Sequence, residues 1–167
     1  MSAAAPGEAV VVLGIGNEHR HDDGAGIAVA RRAARAAGLT GEVEPLGEPL
    51  DLLGRWDGAA LAVVVDATRS GAEPGTIHLI ELTGPGKPAT APERRRGGGA
   101  TSTHGLGVAD VLALARALET APRRVVLVGI EGADFSHGQG CGPQVAGALE
   151  GAAAVVAALV DEARRCA

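Results

Sequence analysis

Aromatic side chains are nearly absent from this 167-residue chain, which has one tryptophan, one phenylalanine and no tyrosine. So few rings leave little on which bases could stack, and a formal net charge of −5 offers no broad basic field to a phosphate backbone. Nucleic acid is therefore not an expected partner. Cysteine is also scarce. Cys141 and Cys166 have neither metal-finger spacing nor the density of a disulfide framework, so both are expected to be free thiols in a reducing compartment. The opening "MSAAAPGEA" lacks a basic n-region and an apolar h-region, and no uninterrupted apolar run reaches membrane-spanning length. A cytoplasmic protein without a membrane partner is expected. Lysine occurs once among fifteen basic residues, a compositional bias with little functional content.

What the chain does have is apolar sequence in strand-length runs. With 46% hydrophobic and 21% charged residues it can bury one substantial core, and residues 1–167 are expected to form one domain. Val10 to Leu13 is short, β-branched and stopped by Gly14, which predicts a buried first strand. Asp23 to Ala37 places Ile27, Ala30, Ala34 and Ala37 near one helical face before Gly38 stops it. "EVEPL" (42–46) predicts a second strand, "PLDLLGRW" (49–56) a short helix, and "AALAVVVDA" (59–67) a third strand ending on Asp66. "TIHLIEL" (76–82) alternates as a fourth, half-buried strand. Residues 84–101 are rich in Pro, Gly and charge and are expected to form an irregular, mobile loop. Within it Arg94, Arg95 and Arg96 default to solvated coil, with docking to an acidic partner as the functional alternative. His104 to Leu118 predicts a helix, "RRVVLVGIEG" (123–132) a fifth strand and Pro143 to Arg165 a long C-terminal helix. This alternation predicts a three-layer α/β/α domain with a mainly parallel sheet, whose ligands would gather beyond the carboxyl ends of the strands.

Charge concentrates in "GIGNEHRHDDGAG", residues 14–26, where the first strand hands over to a helix. The glycines invite a nucleotide reading, but His19 occupies the third glycine position of G-x-G-x-x-G, and no lysine completes a phosphate-cradling loop. Asp22 and Asp23 would also repel phosphate from the positive end of the helix. No organic cofactor is expected. One aspartate suffices as an N-cap, which leaves the other for a ligand. Together with Asp66 and His104 it would make an oxygen, oxygen and nitrogen set suited to a divalent cation, the imidazole favouring nickel, zinc, copper or iron. On the residues alone, Asp66 is equally a turn residue and His104 equally a helix-start residue. Glu18, His19 and His21 are either additional ligands or solvated loop residues. His78 is placed on a sheet face and His137 near the cleft. Cys141, between Gly140 and Gly142, reads as part of a turn rather than as a nucleophile.

Four segments in order resemble the hydrogenase maturation proteases, endopeptidases that trim the large subunit of nickel-iron hydrogenases. They are "GIGNEHRHDDGAGIAVA", "VVVDATRSG", "STHGLGVADVLALA" and "VVLVGIEGADFSHGQGCGPQV". The resemblance implies a five-stranded mixed sheet with the fourth strand antiparallel. It places the family's metal-recognition and catalytic site on Asp23, Asp66 and His104. It further implies a nickel-iron hydrogenase large-subunit precursor as partner, removal of that subunit's C-terminal extension after nickel insertion, and nickel carried by the substrate as the recognised metal. Metal polarisation of the scissile carbonyl and an aspartate acting as general base are the alternatives for the chemistry. One departure is "EHRH" after the Gly-Asn pair, where members often carry an apolar residue. A noncatalytic metal-binding or scaffold protein of the same fold is the competing reading.

Overall fold

The computed structural model describes residues 9–39, 43, 45–84 and 107–166. Four strands form one sheet: β1 (Val10–Gly14), β2 (Leu61–Thr68), β3 (Ile77–Glu81) and β4 (Arg124–Glu131), in the order β1-β2-β4-β3. β1 and β4 both run parallel to β2, and β3 closes one edge antiparallel to β4. All eight residues of β2 are buried, as its unbroken apolar run requires of a central strand covered on both faces.

Helices α1 (Ala25–Ala36) and α3 (Pro143–Arg165) cover one face, packing Val29, Ala30, Ala33, Val145, Val156 and Val160 against the inward valines of β1, β2 and β4. On the opposite face, Trp56, Leu52, Ile15 and Leu46 pack with Val111 and Leu112 of α2 (Val108–Ala117). This is the expected three-layer arrangement. By length and composition α3 could cross a membrane, with a mean hydropathy of 1.5 over its most apolar window. Its buried Val145, Leu149, Ala152, Val156 and Val160 make it a core helix instead.

Several expectations need correction. The sheet has four strands among the described residues rather than five. The segment expected to be the second strand contributes a single parallel bridge, Ile15 to Leu46. There the Gly16 N–H donates to the Leu46 carbonyl at 2.9 Å, and the Leu46 N–H to the Gly14 carbonyl at 3.0 Å. Glu42 and Glu44 of that segment lie outside the described residues. β2 does not end on Asp66 but continues in register to Thr68, opposite Glu131. α2 starts at Val108, because the Asp110 carboxylate accepts the Gly107 N–H at 3.0 Å and caps the helix there. His104, Arg94, Arg95, Arg96 and, apart from Gly84, the whole 84–101 segment lie outside the described residues.

The start of α1 is pressed onto the sheet where β1 and β2 end. A Cβ on Gly26 would sit 2.5 Å from the Val65 carbonyl oxygen, 2.6 Å from that of Ile15 and 3.0 Å from the Asp66 Cα. All three are backbone atoms, which cannot swing aside. Gly26→Ala is expected to destabilise the protein by about 2–4 kcal/mol. In urea unfolding this would appear as a lower midpoint at unchanged slope.

Candidate functional site

The exit of β1 turns sharply at Gly16, whose φ of +142° is open to glycine, and a Cβ there would collide with the Asp23 carbonyl. The chain then passes through Asn17 to Arg20 into a 3-10 turn, His21–Gly24, that delivers Asp22 and Asp23 to the start of α1. Both aspartates are buried, at 1% and 0% exposure. Neither caps α1, which has no side-chain cap.

The two neighbours have different tasks. One Asp22 oxygen accepts the N–H groups of Ala133 at 2.8 Å and Asp134 at 2.9 Å, and the other accepts that of Gly142 at 2.8 Å. Gly142 is the N-cap residue of α3, so Asp22 serves a helix far away in the chain and pins the loop after β4. Asp23 accepts the Asn17 N–H at 3.1 Å. It also lines a cleft of about 610 Å³ with Asn17, Glu18, Arg20, Pro45 and Glu48.

Asp66 comes from β2 and is 3% exposed. Its Oδ1 is buried with no hydrogen-bond partner among the described residues. Burial first, and then the charge of Asp23, push its pKa from 3.8 to about 7, with the Ala67 amide offsetting part of the rise. The structure thus brings Asp23 and Asp66 into electrostatic contact at the carboxyl edge of the sheet. His104 lies outside the described residues. Among those residues no three His, Cys, Asp or Glu side chains form a metal-binding group.

The other expected candidates are engaged elsewhere. Glu18 pairs with Arg31 at 2.6 Å, and His19 is exposed. His21, at a φ of +44°, places Nδ1 3.0 Å from the Gly140 carbonyl. His137 is exposed, and His78 lies on β3 with Nε2 3.2 Å from Glu131. Burial and the nearby Asp22 raise the Cys141 thiol, which opposes a thiolate nucleophile. Two features escape a reading of the residues alone. One is the anchoring of α3 by Asp22, and the other is Glu131, a buried carboxylate at the end of β4 that looks like an ordinary strand-end residue in "GIEG".

A family model described as hydrogenase maturation protease, HycI, matches residues 47–159. A hydrogenase expression/formation protein, HupD, of Rhodobacter capsulatus is 32% identical over 147 residues, covering 86% of this chain and 67% of the relative. HupD of Thiocapsa roseopersicina is 30% identical over 125 residues and 73% of this chain, which spans 53% of that relative's length. Among solved structures, the hydrogenase maturating endopeptidase HybD from E. coli superposes with a TM-score of 0.66 at 26% identity, covering 92% of each chain.

Two outcomes follow from the geometry. Because the pKa of Asp66 in the folded protein lies above 3.8, the native state holds its proton more tightly than the unfolded chain. That stabilisation is complete below the unfolded value of 3.8 and is lost as pH rises through about 7. Asp66→Asn is therefore expected to exceed the wild type in stability by on the order of 4 kcal/mol near pH 8, the two converging toward about pH 4. Urea unfolding at both pH values measures the gap, and a gap independent of pH would show that Asp66 ionises normally. Asp22→Ala should cost about 3 kcal/mol or more by stranding three amides. Asn should not rescue it, because its NH₂ would face one of those donors. Amide exchange at Ala133, Asp134 and Gly142 reads this directly.

Proposed function

The chain belongs to the hydrogenase maturation protease family, and from that premise we propose that it is an endopeptidase. Its substrate in this reading is the large-subunit precursor of a nickel-iron hydrogenase, from which it removes the C-terminal extension after nickel insertion. Nickel arrives with the substrate and is read by Asp23, Asp66 and His104. The cytoplasmic location expected from the sequence belongs to the same proposal.

The observation that carries this reading is the orphaned Oδ1 of Asp66, buried beside a second buried carboxylate. A buried polar atom without a donor is destabilising unless something else satisfies it. A cation presented by an incoming substrate supplies that partner and relieves the repulsion between the two carboxylates. The donor set of two carboxylate oxygens and one imidazole suits nickel. Cleft residues Asn17, Glu18, Arg20 and Glu48 adjoin Asp23 and give the extended peptide a place to lie.

Hydrolysis needs a water oxygen to add to the scissile carbonyl, the C–N bond to break and a proton to reach the leaving amine. The nickel held by Asp23, Asp66 and His104 would polarise the scissile carbonyl, and an aspartate left off the metal, accepting and returning the proton, is the alternative.

The test is cleavage of a nickel-loaded cognate precursor, followed by mass spectrometry, beside nickel-free precursor. Loss of the extension is expected only with nickel. Asp23→Ala, Asp66→Ala and His104→Ala should each lower the rate by more than about 100-fold while remaining folded. Nickel binding without cleavage of a verified cognate precursor would instead establish the noncatalytic scaffold.

A further inference from the structure

Glu131 is 1% exposed and is not part of the proposed chemistry, yet it has an unusually complete set of donors. Its Oε1 accepts the N–H groups of Ser70 at 2.7 Å and Gly71 at 2.9 Å. Its Oε2 accepts the hydroxyls of Ser70 at 2.8 Å and Thr68 at 3.1 Å, with His78 Nε2 3.2 Å away. Burial alone would raise the pKa of this carboxyl, but the Ser70 hydroxyl, the Ser70 and Gly71 amides and the Thr68 hydroxyl outweigh it and hold the value below the ordinary range. Glu131 is thus a fixed negative charge. Its main chain completes the arch: the Gly75 N–H donates to the Glu131 carbonyl at 2.8 Å, and the Glu131 N–H donates to the Thr76 carbonyl at 2.9 Å.

The ladder shows what this clamp holds. Asp66 pairs with Gly129, which in turn pairs with His78, and two residues on Thr68 pairs with Glu131. Side chains two residues apart on a strand share a face, so Asp66, Thr68 and Glu131 lie on the same side of the sheet. A Cβ on Gly129 would stand 2.6 Å from Thr68 Cγ2, so the glycine opposite Asp66 makes room for Thr68 beside Glu131. In the segment directly after Asp66, Thr68, Ser70 and Gly71 all bind Glu131. Arg69, which does not, places its guanidinium 4.4 Å over the Phe135 ring.

We propose that Glu131 is a positioning residue for the cleavage reaction: by clamping Thr68, Ser70 and Gly71 it fixes the end of β2 and so aims Asp66. The need arises at Asp66 itself, whose Oδ1 has no partner among the described residues. With no donor on that oxygen among the described residues, its aim depends on β2, which carries both Asp66 and the Ala67 amide beside its carboxylate. A displacement of about 1 Å at a reacting group is enough to cost on the order of 100-fold in rate.

This inference rests on the peptidase reading, and its test separates the two. Steady-state cleavage of nickel-loaded precursor by the full-length wild type, Glu131→Ala and Glu131→Gln is measured alongside amide exchange. Glu131→Ala is expected to lose about 10- to 100-fold in kcat with KM within about twofold, and to exchange Ser70 and Gly71 amides faster while Val126 and Val128 stay protected. Glu131→Gln keeps an oxygen for the two amides and presents an NH₂ that the Thr68 and Ser70 hydroxyls can accept, so kcat should stay within about threefold of wild type. A folded Glu131→Ala protein with wild-type kcat overturns the inference, as does a loss confined to KM. If Glu131→Ala fails to fold, the Thr68→Val, Ser70→Ala double variant takes its place under the same kcat criterion. A wild type that does not cleave overturns the peptidase reading and this inference together, whereas an active wild type and an equally active folded variant overturn this inference alone.

Discussion

Asp66 holds a carboxyl oxygen in the protein interior without a donor among the described residues, beside a second buried carboxylate, and most of the architecture around it serves to make that tolerable. A central parallel strand covered on both faces supplies rigidity, because β2 can neither fray nor shift without breaking two ladders. Gly26 and Gly16 supply proximity, letting α1 and the turn before it approach β2 at backbone contact. Without that approach Asp23 would stand further away, Asp66 would ionise more readily, and the edge would be an ordinary acidic surface.

Surrounding carboxylates are treated in the opposite way. Asp22 and Glu131 are as deeply buried as Asp66, yet each is met by several donors. Of the four buried acids among the described residues, Asp22 and Glu131 are fastened to the frame by several donors, whereas Asp66 keeps one oxygen without a partner among those residues. The contrast is physical rather than positional: satisfied carboxylates organise structure, whereas an unsatisfied one stores a demand for a proton or a cation.

Much of this was legible in the residues. The apolar runs gave β1, β2 and β4 to within one or two positions, and the antiparallel edge strand is the one the resemblance implied. Asp66 and a carboxylate of the loop after β1 could be named from their place at the sheet edge where ligands gather, whereas the choice of Asp23 over Asp22 came from the resemblance. The assignment of Asp22 was beyond local reasoning. Cap preferences link an aspartate to the helix it precedes, but the amides that Asp22 accepts are separated from it by more than a hundred residues. Glu131 was invisible for the same reason, since its donors come from the other side of the sheet's crossover. Of the expected second strand the described residues keep one bridge, Ile15 to Leu46, and the start of α2 moved because Asp110 captures Gly107.

The long reach of Asp22 also bears on how the protein is made. The turn that carries Asp23 is held against residues 133, 134 and 142, which leave the ribosome after every strand of the sheet. Domains fold during synthesis as their parts become available. The two halves of the edge therefore come together only once translation has passed the start of α3, and a chain arrested before that point has the catalytic aspartates of the proposal but no anchor for the turn that presents one of them.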